Sequence, residues 1–357
     1  MDMNFQPMNQ TKLPSALGNN QATLLRPRYL LLAVVILSML FETQCVTTDA
    51  VSKFASQSSQ ALAQGPAILK DIEESCVRQY MMKRKFPRAP QEQSDLGFGD
   101  PALWTELAAG KVVPPACEED NHVQAGLLAV SRVLTGYFTA ISQLASAGKT
   151  TVDKDQSKKD SDTASQSGLP KTVQNQTAVL KSVSSIAGVL TRLIEGAYQQ
   201  KKLAQDLTGA KTDVDMVLSA LAKDVVQADY IDIELANERL ALTARDQDYL
   251  RDWHDFIGWV RLVSDKEKLE HPDVERLDGT IRILFREDWD QQMRLITAKE
   301  ATAKNYVTAL QSIQDGYDKL AGLAKGPGGL KAKDLVSQLQ TYSDSLSKLI
   351  PSLQRLF

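Results

Sequence analysis

Histidine 254 is the side chain in this sequence whose neighbours come closest to a metal-binding pattern. Two glutamates, Glu234 and Glu238, precede it on a stretch whose apolar spacing predicts one long helix. Di-iron sites in helical bundles use a Glu-x-x-His motif on two helices and a glutamate from each of two others. Arg251 stands where this motif needs its glutamate, and neither of the other histidines supplies a second motif. The sequence therefore predicts no di-iron site, and we expect His254 to be solvated.

The signatures of other common catalytic and cofactor sites are missing from the sequence. It contains no GxxxxGK[ST] phosphate loop, no GxGxxG fingerprint, no HExxH zinc motif and no GxSxG nucleophile turn. Carboxylates are abundant, but nothing selects two of them as an acid–base couple. We therefore expect no catalytic residue, no metal and no cofactor. An enzyme with an atypical site is the alternative, and metal analysis would test it.

The region before residue 45 has the pattern of an export signal. Arg26 and Arg28 precede residues 29–41, an apolar run that carries no charge. A spanning helix needs about 20 apolar residues, so this run is short for a stable transmembrane anchor. A positively charged segment followed by a short apolar run is typical of secretory signal peptides. We therefore expect the protein to be exported.

Cys45 is the fourth residue after the apolar run. Residues 26–45 together resemble a bacterial lipoprotein signal, in which such a cysteine is lipidated and becomes the mature N-terminus. The resemblance implies lipid attachment at Cys45 and a membrane-anchored place on the periplasmic side of the cell envelope, since two acyl chains hold a protein stably. The pattern has small residues directly before the cysteine, where this sequence has Glu42, Thr43 and Gln44. An uncleaved short anchor and an ordinary cleaved signal are the alternatives.

The remaining cysteines, Cys76 and Cys117, form a candidate pair. Oxidising compartments convert such pairs into disulfides. The bond would close a loop of about 40 residues, for which loop-closure entropy predicts a stabilisation of about 4 kcal/mol. Two unrelated buried thiols are the alternative. No CxxC motif is present, so a thioredoxin-like redox role lacks its signature.

The overall composition excludes several classes of protein. The 357 residues are 43% hydrophobic, 24% charged and only 6% aromatic. These values exclude a disordered chain, a collagen-like chain and a multi-span membrane protein. The net charge of −3 offers no basic excess for nucleic acid, so we expect no nucleic-acid partner.

Apolar residues recur at intervals of three and four residues through most of the chain after the signal. The clearest seam consists of Val123, Leu127, Val130, Leu134, Tyr137, Ile141 and Leu144. A later seam consists of Val214, Leu218, Leu221, Val225 and Ala228. This spacing is typical of long helices packed side by side, and no alternating β-branched run indicates a strand. We predict an all-α fold, an elongated antiparallel bundle of long coiled-coil-like helices with a small disulfide-tethered irregular lobe.

Four segments follow from these patterns. Residues 1–44 are the signal and its extension, and residues 45–147 hold N-terminal helices, the proline-rich lobe and the first long helix. Residues 148–171 are polar and mixed in charge, so they cannot bury enough apolar surface to become ordered, and we predict a flexible linker. Residues 172–357 continue the same domain as a long-helix bundle.

Three tryptophans are candidate partner-binding residues. Trp104 lies in the proline-rich segment 86–116, while Trp253 and Trp259 lie in an aromatic cluster of a chain otherwise poor in aromatics. Exposed aromatic clusters on helices can bind a partner helix or a membrane surface. The alternatives are a packed connection at one bundle end for Trp104 and a core layer that sets helix register for the other two.

These observations favour an exported, lipid-anchored cell-envelope protein. We expect a non-enzymatic helical scaffold or binding module whose partners are the membrane, through its anchor, and an unidentified protein. The long seams could also pair two copies of the chain. The alternative from another class is a membrane-active helical toxin or pore component. Such proteins hide an apolar segment of about 20 residues, and none is evident after residue 41.

Overall fold

The computed structural model describes residues 48–83, 114, 117–195, 200–267, 274–324 and 332–354. All of them belong to one compact unit that runs from Cys45 to Phe357. Every regular element within these ranges is a helix, and they contain no strand. The predicted all-α bundle is therefore confirmed. The signal region and Cys45 lie outside the described residues, as does almost all of the proline-rich segment.

Residues 84–117 separate the second helix from the third, and at most eight residues separate each of the other pairs of consecutive helices. In chain order they are α1 (48–62), α2 (Gly65–Lys83), α3 (Glu118–Ala147), α4 (Lys154–Ser167), α5 (Gln176–Glu195), α6 (Gln200–Ser219), α7 (Ala236–Glu267), α8 (Val274–Ala324) and α9 (Ala332–Leu353). Between α6 and α7 the chain stays helical as a π-helix, Ala220–Leu235, which we call the π segment.

Two helices organise the packing. Helix α3 packs against α2, α4 and α5, whereas α8 packs against α6, the π segment, α7 and α9. Helices α1 and α3 run antiparallel, since Ser52 of α1 contacts Ser142 of α3 while Ser59, further along α1, contacts the earlier residue Thr139. Every member of the predicted α3 seam is buried. The spacing of that seam therefore identified the central face of α3 correctly.

An aromatic layer joins the two organising helices. Phe138 of α3 lies edge-to-face against Phe54 of α1 at 6.4 Å and against Tyr317 of α8 at 5.7 Å between ring centroids. The hydroxyls of Tyr137 and Tyr317 lie 2.6 Å apart, and Tyr317 donates to the carbonyl of Leu207 at 2.9 Å. All four rings are fully buried. Edge-to-face pairs of this kind add about 0.5–1.5 kcal/mol each beyond their area burial.

Gly316 permits the close approach of α1 and α8 beside this layer. A methyl group at Gly316 would overlap the ring of Phe54, whereas a methyl group at Gly322 on the same helix would meet nothing within 4 Å. We expect Gly316→Ala to destabilise the protein by about 1–3 kcal/mol through overpacking. Gly322→Ala is the matched control and should stabilise by up to about 1 kcal/mol, because alanine favours helix. Urea unfolding measures both, and equal midpoints would contradict the close approach.

The polar stretch predicted as a flexible linker is a packed helix, so that prediction was wrong for residues 154–167. Asp153 caps α4 by accepting from the backbone N–H of Asp155 at 2.9 Å. Ser157, Asp160, Ser161 and Ala164 are buried. The Arg132 guanidinium of α3 donates to Asp160 at 2.8 Å and compensates its charge. Small side chains let α4 lie close to α3, so the stretch is ordered without a large apolar face.

The π segment changes which residues of the second seam are buried. Leu221 and Val225 are buried as predicted, but Ala228 is only half-buried. Continued α-helical spacing would bring Asp232 to the core. The i→i+5 bonding of a π-helix widens the turn, which leaves Asp232 exposed and buries Tyr230, Ile231 and Leu235 instead. The wide turn therefore keeps a carboxylate out of the core.

Candidate functional site

Four charged side chains meet inside the bundle where α2 packs against the π segment and α7. Asp71 and Arg78 come from α2, Glu238 from the first turn of α7, and Lys299 from α8. Asp71, Glu238 and Lys299 are only 3%, 2% and 6% exposed. Charged groups are rarely buried unless they are paired. We call these four residues the ionic cluster; its two anions and two cations balance.

Arg78 joins the two carboxylates of the ionic cluster. Its Nε donates to Glu238 Oε1 at 2.6 Å, and its second terminal nitrogen donates to Glu238 Oε2 and to Asp71 Oδ2, both at 3.0 Å. Lys299 Nζ donates to Asp71 Oδ1 at 2.7 Å, and Ser75 Oγ donates to Glu238 Oε2 at 2.7 Å. All four carboxylate oxygens therefore accept a hydrogen bond.

The π segment supplies neutral partners to the ionic cluster. The buried hydroxyl of Tyr230 donates to Asp71. At the end of the π segment, Gln79 of α2 donates to the Glu234 carbonyl at 3.0 Å and to the Glu234 carboxylate at 2.7 Å. π-Helical turns are frequent at functional sites, so the contact between this segment and buried charges makes the cluster the leading candidate site.

The electrostatics of the ionic cluster favour permanent charges on Arg78 and a permanent proton on Tyr230. Burial by itself lowers the pKa of Arg78, but the hydrogen bonds and charges of Glu238 and Asp71 outweigh it, so this pKa lies above its ordinary value. Burial and the charge of Asp71 raise the pKa of Tyr230 well above its ordinary value. The arrangement can hold α2, the π segment, α7 and α8 together, but it presents no free base.

No family model, no curated protein and no solved structure matches this chain. The function must therefore be inferred from the chain's own residues. Besides the ionic cluster, two features bear on function: the bond between two of the cysteines, and the exposed apolar residues of α8.

Cys76 and Cys117 are joined by a disulfide, as predicted, with 5.9 Å between their Cα atoms. The bond connects α2 to the residue that precedes α3, and Cys117 is fully buried. The third cysteine, Cys45, lies outside the described residues, so its lipidation stays a prediction. The disulfide and the ionic cluster lie on the same helix, since Cys76 falls between Asp71 and Arg78.

The residues considered for metal chemistry are not brought together. Glu238 accepts hydrogen bonds from Arg78, whereas His254 is exposed and lies about 24 Å farther along the same helix at 1.5 Å per residue. The apolar spacing and motifs of the sequence do not predict the ionic cluster. Its only signal was the presence of charged residues at positions that helical spacing assigns to a buried face.

Of the three predicted tryptophans, Trp253 has a described side chain. It is half-buried on α7, and its Nε1 donates to Asp278 of α8 at 2.7 Å. Trp253 thus connects the two helices rather than forming a buried core layer. Trp259 lies on α7, but its side chain is outside the described part of the structure, and so is the whole of Trp104.

The distal parts of α7 and α8, residues 243–267 and 274–295, form what we call the hairpin. Ile257 is the one buried hydrophobic residue among its described side chains. Contacts across the hairpin include the stacked rings of Tyr249 and Phe285, 5.2 Å between centroids, and the ion pair of Arg245 with Asp288 at 2.6 Å. Its exposed apolar residues are Ile283 at 59%, Leu284 at 54% and Leu295 at 41%. The apolar spacing in the sequence did not predict that these three residues are exposed.

Two carboxylates near the disulfide have no ion pair within the described ranges. Asp120 lies in the first turn of α3, and Asp229 lies on the π segment. Burial and the charge of Glu119 raise the pKa of Asp120. Burial and the charge of Asp120 raise the pKa of Asp229 to about 6. Ionisation of Asp229 therefore opposes folding at neutral pH.

Replacing Asp229 with asparagine should make stability less dependent on pH. A carboxyl whose folded pKa is raised stabilises the fold below its unfolded pKa of 3.8, and this stabilisation is lost as pH rises through about 6. We expect Asp229→Asn to be about 1–2 kcal/mol more stable than the wild type at pH 8, after discounting for the part of the carboxylate that meets solvent. The difference should vanish below about pH 4. Urea unfolding across this pH range measures it.

The control for this experiment is Asp232→Asn, at an exposed position on the same π segment. It should change stability by less than about 0.5 kcal/mol at every pH. A wild-type stability that is flat between pH 4 and pH 8, or equal pH profiles for the two variants, would contradict the assignment.

Proposed function

We propose that the protein is an exported, lipid-anchored cell-envelope protein whose helical bundle is a non-enzymatic scaffold or binding module for another macromolecule. The observation that carries this proposal is the Cys76–Cys117 disulfide. Disulfides form and persist in oxidising compartments and are rare in the cytosol, so the bond supports the export that residues 26–45 predict. The anchor at Cys45 rests on the resemblance of those residues to lipoprotein signals.

The ionic cluster supports a structural role for the bundle interior. Its carboxylate oxygens are all engaged by Arg78, Lys299, Tyr230 or Ser75. A general acid or base needs a proton that it can exchange with a substrate, and here each carboxylate faces a cation instead. The cluster is suited to fixing α2 against the π segment, α7 and α8, which a scaffold requires.

The hairpin supports a binding role. Ile283, Leu284 and Leu295 are exposed on α8, and Arg282 and Arg286 lie among them. Adjacent exposed apolar residues such as Ile283 and Leu284, with charged neighbours, are typical of protein-binding surfaces. We place the partner-binding surface on this part of the hairpin, which also carries the predicted residues Trp253 and Trp259.

Export and anchoring are tested by the intact mass of the protein extracted from bacterial membranes. We expect a mature N-terminus at Cys45 that carries a diacylglycerol group, and a gain of two protons on reduction. Cys45→Ala is the control and should leave an unprocessed chain. An unprocessed, soluble and fully reduced wild type would overturn both the location and the oxidising environment.

Partner binding is tested by placing a photo-crosslinking amino acid at Leu284 in the membrane-anchored protein. Gln311, an exposed position farther along α8, is the control site. We expect a discrete crosslinked protein from position 284 that disappears when Ile283 is replaced with aspartate. Equal crosslinking from both sites, or a product insensitive to Ile283→Asp, would contradict a specific surface.

A membrane-active toxin or pore component is the second candidate function. By length and composition, two helices of the described ranges could span a membrane, α3 and α5, each with mean hydropathy 1.3. This corrects the expectation that no such segment follows residue 41. However, the apolar face of α3 is the centre of the bundle, so insertion would require the core to open. Dye release from anionic lipid vesicles separates the two candidates: we expect none, and concentration-dependent release would favour the toxin.

A further inference from the structure

A carboxylate lies beside the disulfide. The two sulfur atoms of Cys76 and Cys117 and a carboxylate oxygen of Asp120 all lie within 4.8 Å of one another. Cys117 and Asp120 are three residues apart at the start of α3, so they project from the same side of the helix. Cys76 reaches them from α2. Two elements tied by a covalent bond thus bring two sulfurs and one oxygen together.

The described neighbours of these three residues include further negative charges. No described ion pair involves Asp120, and its acidic neighbours include Glu119 and Asp229. Among the described residues these carboxylates repel one another, because their charges are alike. A cation held here would compensate both Asp120 and Asp229.

We propose that Cys76, Cys117 and Asp120 bind one Zn²⁺ ion when the disulfide is reduced. Cysteine thiolates and carboxylates are zinc ligands, and a site with three protein ligands takes water as the fourth. In the oxidised protein the sulfurs are bonded to each other, so the disulfide and the zinc site are alternative states of the same residues. The zinc state precedes disulfide formation, or follows its reduction.

The interconversion is chemically balanced. A dithiol reductant transfers two electrons and two protons to the disulfide and itself becomes a disulfide. Zn²⁺ then displaces one proton from each cysteine thiol. Cys76 is only partly buried whereas Cys117 is fully buried, so Cys76 is the more accessible of the two to a reductant thiolate.

The backbone can accommodate both states. The Cα atoms of the cysteines are 5.9 Å apart. Tetrahedral Zn–S bonds of about 2.3 Å place two thiolates about 3.8 Å apart. Rotation of the two side chains can reach this separation while α2 and the start of α3 keep their positions. The first turn of α3 then presents the Asp120 carboxylate to the ion.

The test is titration of the full-length protein with Co²⁺, a spectroscopic substitute for Zn²⁺, before and after reduction. We expect the reduced protein to bind one Co²⁺ per chain, with a thiolate-to-cobalt charge-transfer band and displacement of the cobalt by Zn²⁺. The oxidised protein should give no such band. Asp120→Asn should weaken binding by at least about 100-fold, beyond the loss expected from second-shell changes. Glu118→Gln, which removes an exposed neighbouring charge, should bind as the wild type does.

Equilibrium unfolding of the reduced protein, with and without Zn²⁺, is a second test that applies even if reduction weakens the fold. Zn²⁺ that binds only the folded state must raise the stability of the reduced protein, and Asp120→Asn must remove this rise. The absence of stoichiometric cobalt binding would overturn the proposal. It would also be overturned by equal affinities of Asp120→Asn and Glu118→Gln, or by a reduced chain whose unfolding does not respond to Zn²⁺.

Discussion

Replacing Arg78 with methionine is expected to lower the free energy of unfolding by about 3–5 kcal/mol, because it leaves buried charge without its partner. Arg78 is the side chain that contacts both carboxylates of the ionic cluster. Without it Glu238, which is 2% exposed, keeps Ser75 as a partner but loses its cation. Asp71 keeps Lys299, so Glu238 should account for most of the loss. Urea unfolding at neutral pH measures it.

The control for Arg78 is Arg286→Met, because the Arg286 side chain is 73% exposed and lies 3.5 Å from Asp290. An exposed pair of this kind contributes about 0–1 kcal/mol. The double variant Arg78→Met with Glu238→Gln should lose less than the sum of its single variants, since it removes the uncompensated anion together with the cation. Additive losses, or an Arg78→Met loss no larger than that of Arg286→Met, would contradict the coupling.

Removing the disulfide by the double substitution Cys76→Ala and Cys117→Ala is expected to cost about 4 kcal/mol. The bond spans 41 residues, and closing a loop of that length reduces the entropy of the unfolded chain by this amount. The measurement is urea unfolding of the oxidised wild type and of the double variant, both with a metal chelator present.

The wild type treated with reductant and chelator is the matched control for the cysteine variant. It should unfold at the same urea midpoint as the double variant, because both lack the covalent link and neither holds zinc. Alanine suits the fully buried position of Cys117, since it introduces no polar group there. A double variant as stable as the oxidised wild type would show that the loop is constrained without the bond.

The features predicted correctly from the sequence depend on the spacing of apolar residues within one helix or on the small number of cysteines. The α3 seam follows from residues three and four apart, and all its members are buried. The disulfide followed from counting cysteines once Cys45 was set aside. Both inferences use information contained in a short segment or in the composition, so no tertiary contact was needed to make them.

The predictions that were wrong concern segments in which contacts with distant residues outweigh the conformational preference of the local sequence. Residues 154–167 have the composition of a disordered linker, yet Arg132 of the preceding helix pairs with Asp160 and the stretch is helical. The α-helical period predicted burial of Ala228, whereas the π segment buries Tyr230 in its place. Local composition and apolar periodicity do not reveal the free energy of tertiary contacts, because these contacts form only when the chain folds.

The sequence by itself determined that this protein is helical and which face of α3 is central, and it predicted which two cysteines pair. It also carries the export pattern on which the proposed location rests. The tertiary structure alone decided the ionic cluster, because Arg78 meets Glu238 across 160 residues and Asp71 meets Lys299 across 228. It likewise decided that Asp120 lies beside the disulfide. Apolar periodicity is a property of one helix, whereas the pairing of buried charges depends on which helices become neighbours.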